Sequence, residues 1–144
     1  MNKTAGNFMK AAVLYALAGI ILGIVMAGSH DFAMGSVHAH LSLLGWTSMA
    51  ICGLYYQFVP QAAEMGVAKV HFWLANAGVV VLTSSVALIV NGNAGAEVGA
   101  AIGSLALLVS MLLFGYIVFT AKEAGREKRQ AAFGNNSVLA KERV

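Results

Sequence analysis

The stretch VHAHLSLLGWTSMAICGLYYQFVP (residues 37–60) decides the fold. It contains no Asp, Glu, Lys or Arg. A membrane-spanning helix needs about 20 mainly apolar residues, and this segment supplies that length without the period-two alternation of a barrel strand. It is predicted to be a transmembrane helix, and it opens on two histidines, His38 and His40, spaced by two. Ionisable side chains are expensive within a membrane, so the pair calls for a physical reason.

Working outward, the rest of the chain has the same character. Of 144 residues, 59% are hydrophobic and 10% charged, whereas a soluble domain carries about 25% charged residues. Between Asp31 and Lys122 the charged residues are Glu64, Lys69 and Glu97 alone. Three further apolar segments, 7–28, 70–91 and 97–121, bring the expected number of spans to four. The breaks GSHDFAMGS, PQAAEMGVAK and NGNAGAE have turn chemistry. The first apolar run is longer than a signal-peptide core and lacks a small-x-small cleavage site, so it is expected to be retained. The expected organisation is an all-α, four-helix transmembrane domain over residues 1–122 and a basic tail over 123–144.

Lys and Arg favour the cytoplasmic side of a membrane. With the N-terminus inside, Lys3, Lys10, Lys69, Lys122, Arg126, Lys128, Arg129, Lys141 and Arg143 all fall inside, which is all nine. The outer loops then hold only His30, Asp31 and Glu97 as ionisable groups. Hydropathy and charge thus agree on a multi-pass protein of a bacterial-type inner membrane with both termini cytoplasmic. The tail is expected to extend the fourth helix by a few turns, then fray, and to attract anionic lipid. Its basic cluster is short and lacks interleaved aromatics, so nucleic acid is not an expected partner.

Small residues mark expected helix contacts: Gly19 and Gly23 in one G-x-x-x-G, and Gly95, Gly99 and Gly103 in a doubled one. Gly45 and Gly53 offer close approach to either a macrocycle or a neighbouring helix. The one cysteine, Cys52, lies in an apolar run and reads as a small buried apolar residue. It excludes an intrachain disulfide, and there is no C-x-x-C-H haem-attachment motif.

The histidines constrain one another. His38 and His40 sit at the outer end of the second span and His71 at the inner end of the third, so His71 is expected about 30 Å away. It cannot share their metal. Positions i and i+2 of a helix point about 200° apart at nearly the same depth. One helix therefore cannot place both imidazoles on one haem, but it can give one ligand to each of two sites. No other helix of the chain offers a histidine at that depth, which makes an identical helix from a second copy the natural donor of the other ligand.

VHAHLSLLGWTSMAICGLYYQFVPQ followed by AKVHFWLANAGVVVL resembles the tenth and eleventh helices of subunit I of haem–copper oxidases and nitric oxide reductases. In that family a His-x-His on the tenth helix ligates two haems, one per histidine. The resemblance implies that His38 and His40 are axial ligands of b-type haem, and that the histidine at position 71 is not a ligand. The family's twelve helices form three similar four-helix arcs, so a homotrimer of this chain would resemble a symmetric version of that fold. His40 of one chain would then face His38 of the next.

The departures from the family are equally specific. There is no adjacent His pair for a copper site, no mid-span glutamate for a non-haem iron, and no outer Lys or Arg to meet haem propionates. Two axial histidines leave iron no open position, which favours electron transfer or redox or gas sensing over catalysis. An enzymatic role, if present, would be that of an oxidoreductase of the oxidase/reductase type. Trp46 is a candidate for a haem edge, and Tyr55, Tyr56, Phe72 and Trp73 are assigned to the inner interfacial belt. His71 is expected to play a structural, interfacial role. Two other readings stay open: copper binding by His30, Met34 and His38, whose imidazole and thioether donors suit that metal, and a structural subunit of a respiratory complex.

Overall fold

The computed structural model describes the backbone of residues 1–141 and side chains through Ala121, and among these it is all-helical. The elements are α1 (Lys3–Ser29), α2 (Gly35–His40), a π-helix (Leu41–Ser48), α3 (Met49–Phe58), α4 (Pro60–Glu64), α5 (Gly66–Val90), a 3-10 turn (Ala94–Ala96) and α6 (Glu97–Lys141). Among the described residues, three helical segments are long and apolar enough to cross a membrane: Lys3–Ser29, Gly66–Val90 and Ala94–Ala121. The second expected span is composite. Both junctions around its π-helix, at Leu41 and Met49, keep right-handed helical dihedrals, so residues 35–58 run on as one helical path. Beyond the apolar part, α6 continues to Lys141, where the sequence had suggested fraying. The other expectations for the tail concern side chains outside the described residues.

Local chemistry sets the ends of these elements. Asn2 caps α1, its side-chain oxygen accepting from the Ala5 amide at 2.8 Å. The same side chain donates to the Tyr56 carbonyl at 2.7 Å, which ties the start of α1 to α3. His30 ends α1 in the left-handed region at φ 55°, and Asp31 Oδ1 accepts from the Ala33 amide at 2.9 Å to shape the turn into α2. Val59, before Pro60, is held out of the helical region at φ −122°, so α4 starts afresh. Gly92, at φ 89°, turns the chain from α5 toward α6.

α1 lies along the second helical segment and α5 along α6. Glycine makes both contacts close. A Cβ at Gly45 would lie 2.7 Å from Tyr15 of α1, and one at Gly53 3.3 Å from the Ala5 carbonyl oxygen. A Cβ at Gly103 would come within 2.6 Å of the Leu82 backbone nitrogen. Such small-residue contacts let van der Waals packing hold helices together where lipid removes the hydrophobic drive. The doubled glycine motif works in this way at Gly99 and Gly103; Gly95 lies in the 3-10 turn and touches only Asn93.

The densest packing is aromatic. Phe8, Tyr56 and His71 are each at most 2% exposed. The His71 ring lies 5.0 Å from Phe8 and 5.2 Å from Phe114, centroid to centroid. Phe72 packs edge-on to Phe8, and Tyr55 edge-on to Phe114. Of the four aromatics expected near the inner boundary, Tyr56 is packed in the bundle core, Tyr55 and Phe72 are half-buried, and Trp73 faces outward at 71% exposure. Cys52 is buried, as a small apolar residue should be.

Candidate functional site

His38 and His40 occupy the last turn of α2, immediately before the π-helix begins. The His38 ring lies on α1, over Gly23, whose missing side chain makes room for it: a Cβ there would stand 3.1 Å from His38 Cε1. Its Nδ1 is 2.8 Å from the Gly19 carbonyl oxygen. His40 Nδ1 is 2.6 Å from the Ser36 carbonyl oxygen, one turn back on its own helix. A carbonyl oxygen only accepts, so each Nδ1 is the donor of its bond, and in the neutral ring Nε2 is then the nitrogen with the lone pair. A metal-ligating histidine is ordinarily fixed in just this way, its other ring nitrogen donating to a carbonyl. Both rings are half-buried, neither sealed in the core nor lying free in solvent.

The two imidazoles face different surroundings. His38 is laid against its own chain's α1. His40 borders a shallow groove of about 200 Å³ whose other walls, Ala39, Leu43 and Leu44, all belong to the same helical segment. The spacing of two therefore does in three dimensions what the helical geometry predicts. Gly19 and Gly23, read from the sequence as packing residues without chemistry, position the His38 ring: Gly23 leaves room for it and the Gly19 carbonyl accepts its hydrogen bond.

The π-helix explains part of the local sequence. Thr47 Oγ1 donates to the Ser42 carbonyl at 3.0 Å and Ser48 Oγ to the Leu43 carbonyl at 2.9 Å, each five residues back. Those hydroxyls support the wider turn. Non-α turns of this kind inside helices are frequent at functional sites, and this one adjoins His40 directly. Trp46 belongs to it and is 40% exposed. Among the described residues it makes no ring contact with either imidazole.

The other candidates separate. Met34 caps α2, its carbonyl accepting from the His38 amide one turn on at 3.0 Å, whereas His30 ends α1. From Gly23, beside the His38 ring, to His30 is seven residues of α1, about 10 Å of rise. Among the described residues no group of three or more His, Cys, Asp or Glu side chains is placed to hold a metal ion.

His71 packs at the level of Phe8, whereas His38 packs at the level of Gly19 and Gly23. Along α1 that is about 16–22 Å, less than the full membrane thickness expected but far too great for a shared metal. His71 Nδ1 is hydrogen-bonded to the Tyr56 hydroxyl at 2.8 Å. The ring also lines a mainly apolar cavity of about 260 Å³ bordered by Cys52, Ser110 and Met111. Its hydrogen bond joins α3 to α5 in the core of the bundle, two residues from Lys69 near the start of α5. The Tyr56 hydroxyl was invisible as a partner in the sequence, because fifteen residues and a chain reversal separate the two.

Comparison with known proteins places these observations. Over 78 residues the chain is 40% identical to the Cbb3-type cytochrome c oxidase subunit CcoN1 of Stutzerimonas stutzeri, a match covering 49% of this chain and 16% of that protein. The similarity supports a relationship at the level of the haem–copper oxidase family and no finer. The chain matches less than a fifth of the relative's length. No family model matches, and no solved structure matches. The apolar helices and this relative together point to a membrane protein.

Proposed function

We propose that this chain is a b-type haem-binding protein of a bacterial inner membrane, serving electron transfer or redox or gas sensing. The observation that carries the proposal is the pair of Nδ1–H bonds to carbonyls, which leaves the Nε2 of each neutral imidazole, two on one turn of helix, as the nitrogen that could ligate a metal. The site fits an axial-ligand role: each Nδ1 is held by a carbonyl, as in a ligating histidine, and Gly23 supplies a recess for the His38 ring that a side chain would fill. His38 and His40 would hold haem, and Trp46 becomes a candidate edge contact only where another chain covers its exposed face. When bound, haem supplies one-electron redox chemistry whose potential depends on axial ligands and burial. The protein's own contribution is to fix ring orientation through the Gly19 and Ser36 carbonyls.

The proposed topology has four passes, with residues 35–58 as the second and both termini cytoplasmic. Support comes from the continuous helical path of that segment and from the segregation of Lys and Arg. The proposed assembly is a homotrimer with haem between subunits. Its support is that the groove at His40 is bordered only by residues of its own helix, leaving that ring a face for another chain. The test is haem content of His38→Ala and His40→Ala. Each should abolish haem at every site, because each site draws on both positions. One normally ligated haem per chain in His38→Ala would overturn the intersubunit scheme.

A further inference from the structure

At the end of the bundle away from His38 and His40, α1 and α5 both begin and leave a cleft of about 170 Å³ between them. Its walls are Lys3, Thr4 and Asn7 from α1 and Lys69, Phe72 and Trp73 from α5. From Lys3 to Gly19, where His38 binds, is about 24 Å of helix, so the two places are independent. The cleft has a one-sided chemistry: two ammonium groups, a hydroxyl, a carboxamide and two aromatic rings, with no carboxylate in its walls. Among the described residues neither ammonium is spent on a hydrogen bond or ion pair. Thr4 Oγ1 donates to the Ala63 carbonyl at 3.3 Å, which pins the start of α1 to α4 and fixes that wall. Two unneutralised cations sharing one recess raise its potential, and an anion between them lowers the energy of both.

The position selects the anion. α1 and α5 are two of the helices long and apolar enough to cross a membrane, so their common start lies at head-group level. Trp73 and Val70 are exposed beside the cleft, at 71% and 55%, an apolar surface suited to acyl chains, and tryptophan favours this interfacial depth. Basic pockets between membrane helices bind anionic head groups. We propose that the cleft binds the phosphate of an anionic phospholipid, with Lys3 and Lys69 as its charge partners, Asn7 as a neutral donor, and Trp73 against the upper acyl chain.

The test is native mass spectrometry of the full chain released from detergent, with phosphatidylglycerol, phosphatidylcholine or inorganic phosphate added in turn. The wild type should retain phosphatidylglycerol over phosphatidylcholine, and the Lys3→Ala/Lys69→Ala variant should lose that preference by at least about tenfold. Lys10→Ala removes a charge nearby on α1 but outside the cleft, and should change retention less than about twofold. Millimolar inorganic phosphate should not displace the lipid; if it does, the cleft is a free-phosphate site and the lipid assignment falls. Equal losses in Lys10→Ala and the double variant would show diffuse charge attraction and overturn the site altogether.

Discussion

His38 donates its Nδ1 proton to the carbonyl of Gly19, 2.8 Å away on the neighbouring helix. The approach is possible because residue 23, one turn further along α1, has no side chain. A helix-packing glycine and a candidate ligand therefore form a single unit, in which α1 sets the orientation of a ring carried by α2.

Gly23→Leu should for this reason displace the His38 ring and strip most of the haem, while costing about 1–3 kcal/mol from overpacking. Gly28→Leu is the control on the same helix, since nothing lies within 4 Å of a Cβ there. Haem per chain and thermal midpoint of the two variants check the expectation; equal haem loss in both would detach the recess from the ligand.

Tyr56→Phe deletes the hydroxyl that His71 Nδ1 meets in the core. Leaving a buried polar atom without its partner costs about 1–3 kcal/mol, so thermal stability should fall while haem content per folded chain stays at the wild-type level. His71→Phe should likewise keep its haem. Loss of haem absorbance in either variant, at unchanged folded yield, would make His71 part of the haem site.

Gly103→Ala should destabilise the α5–α6 pair by about 1–3 kcal/mol, because the new methyl meets Leu82 backbone, which cannot rotate away. Gly115→Ala on the same helix meets nothing and should be neutral or stabilise by up to about 1 kcal/mol through helix propensity. Thermal midpoints in one detergent compare the two directly.

Much of this architecture was legible in the chain. Apolar length gave the helical starts to within a few residues but neither α4 nor the far end of α6, and the glycine spacings pointed to surfaces that do pack, at Gly19, Gly23, Gly99 and Gly103. The spacing of His38 and His40 fixed their divergence before any coordinates. The π-helix was not legible, because LSLLGWTS has no proline or charge to mark a change of turn, and its hydroxyl bonds to carbonyls five residues back are visible only in three dimensions. That Tyr56 and His71 turn into the bundle was not legible, because depth along a span does not tell which way a side chain turns. Phe8 and Phe114, from α1 and α6, enclose them, and that closure is a property of packing.

The most direct measurement is a reduced-minus-oxidised visible spectrum of the detergent-purified protein, read against protein concentration. A sharp low-spin b-type α-band at about one haem per chain is the predicted result. Absence of a Soret band, even after haem is supplied during expression, would contradict haem ligation by His38 and His40.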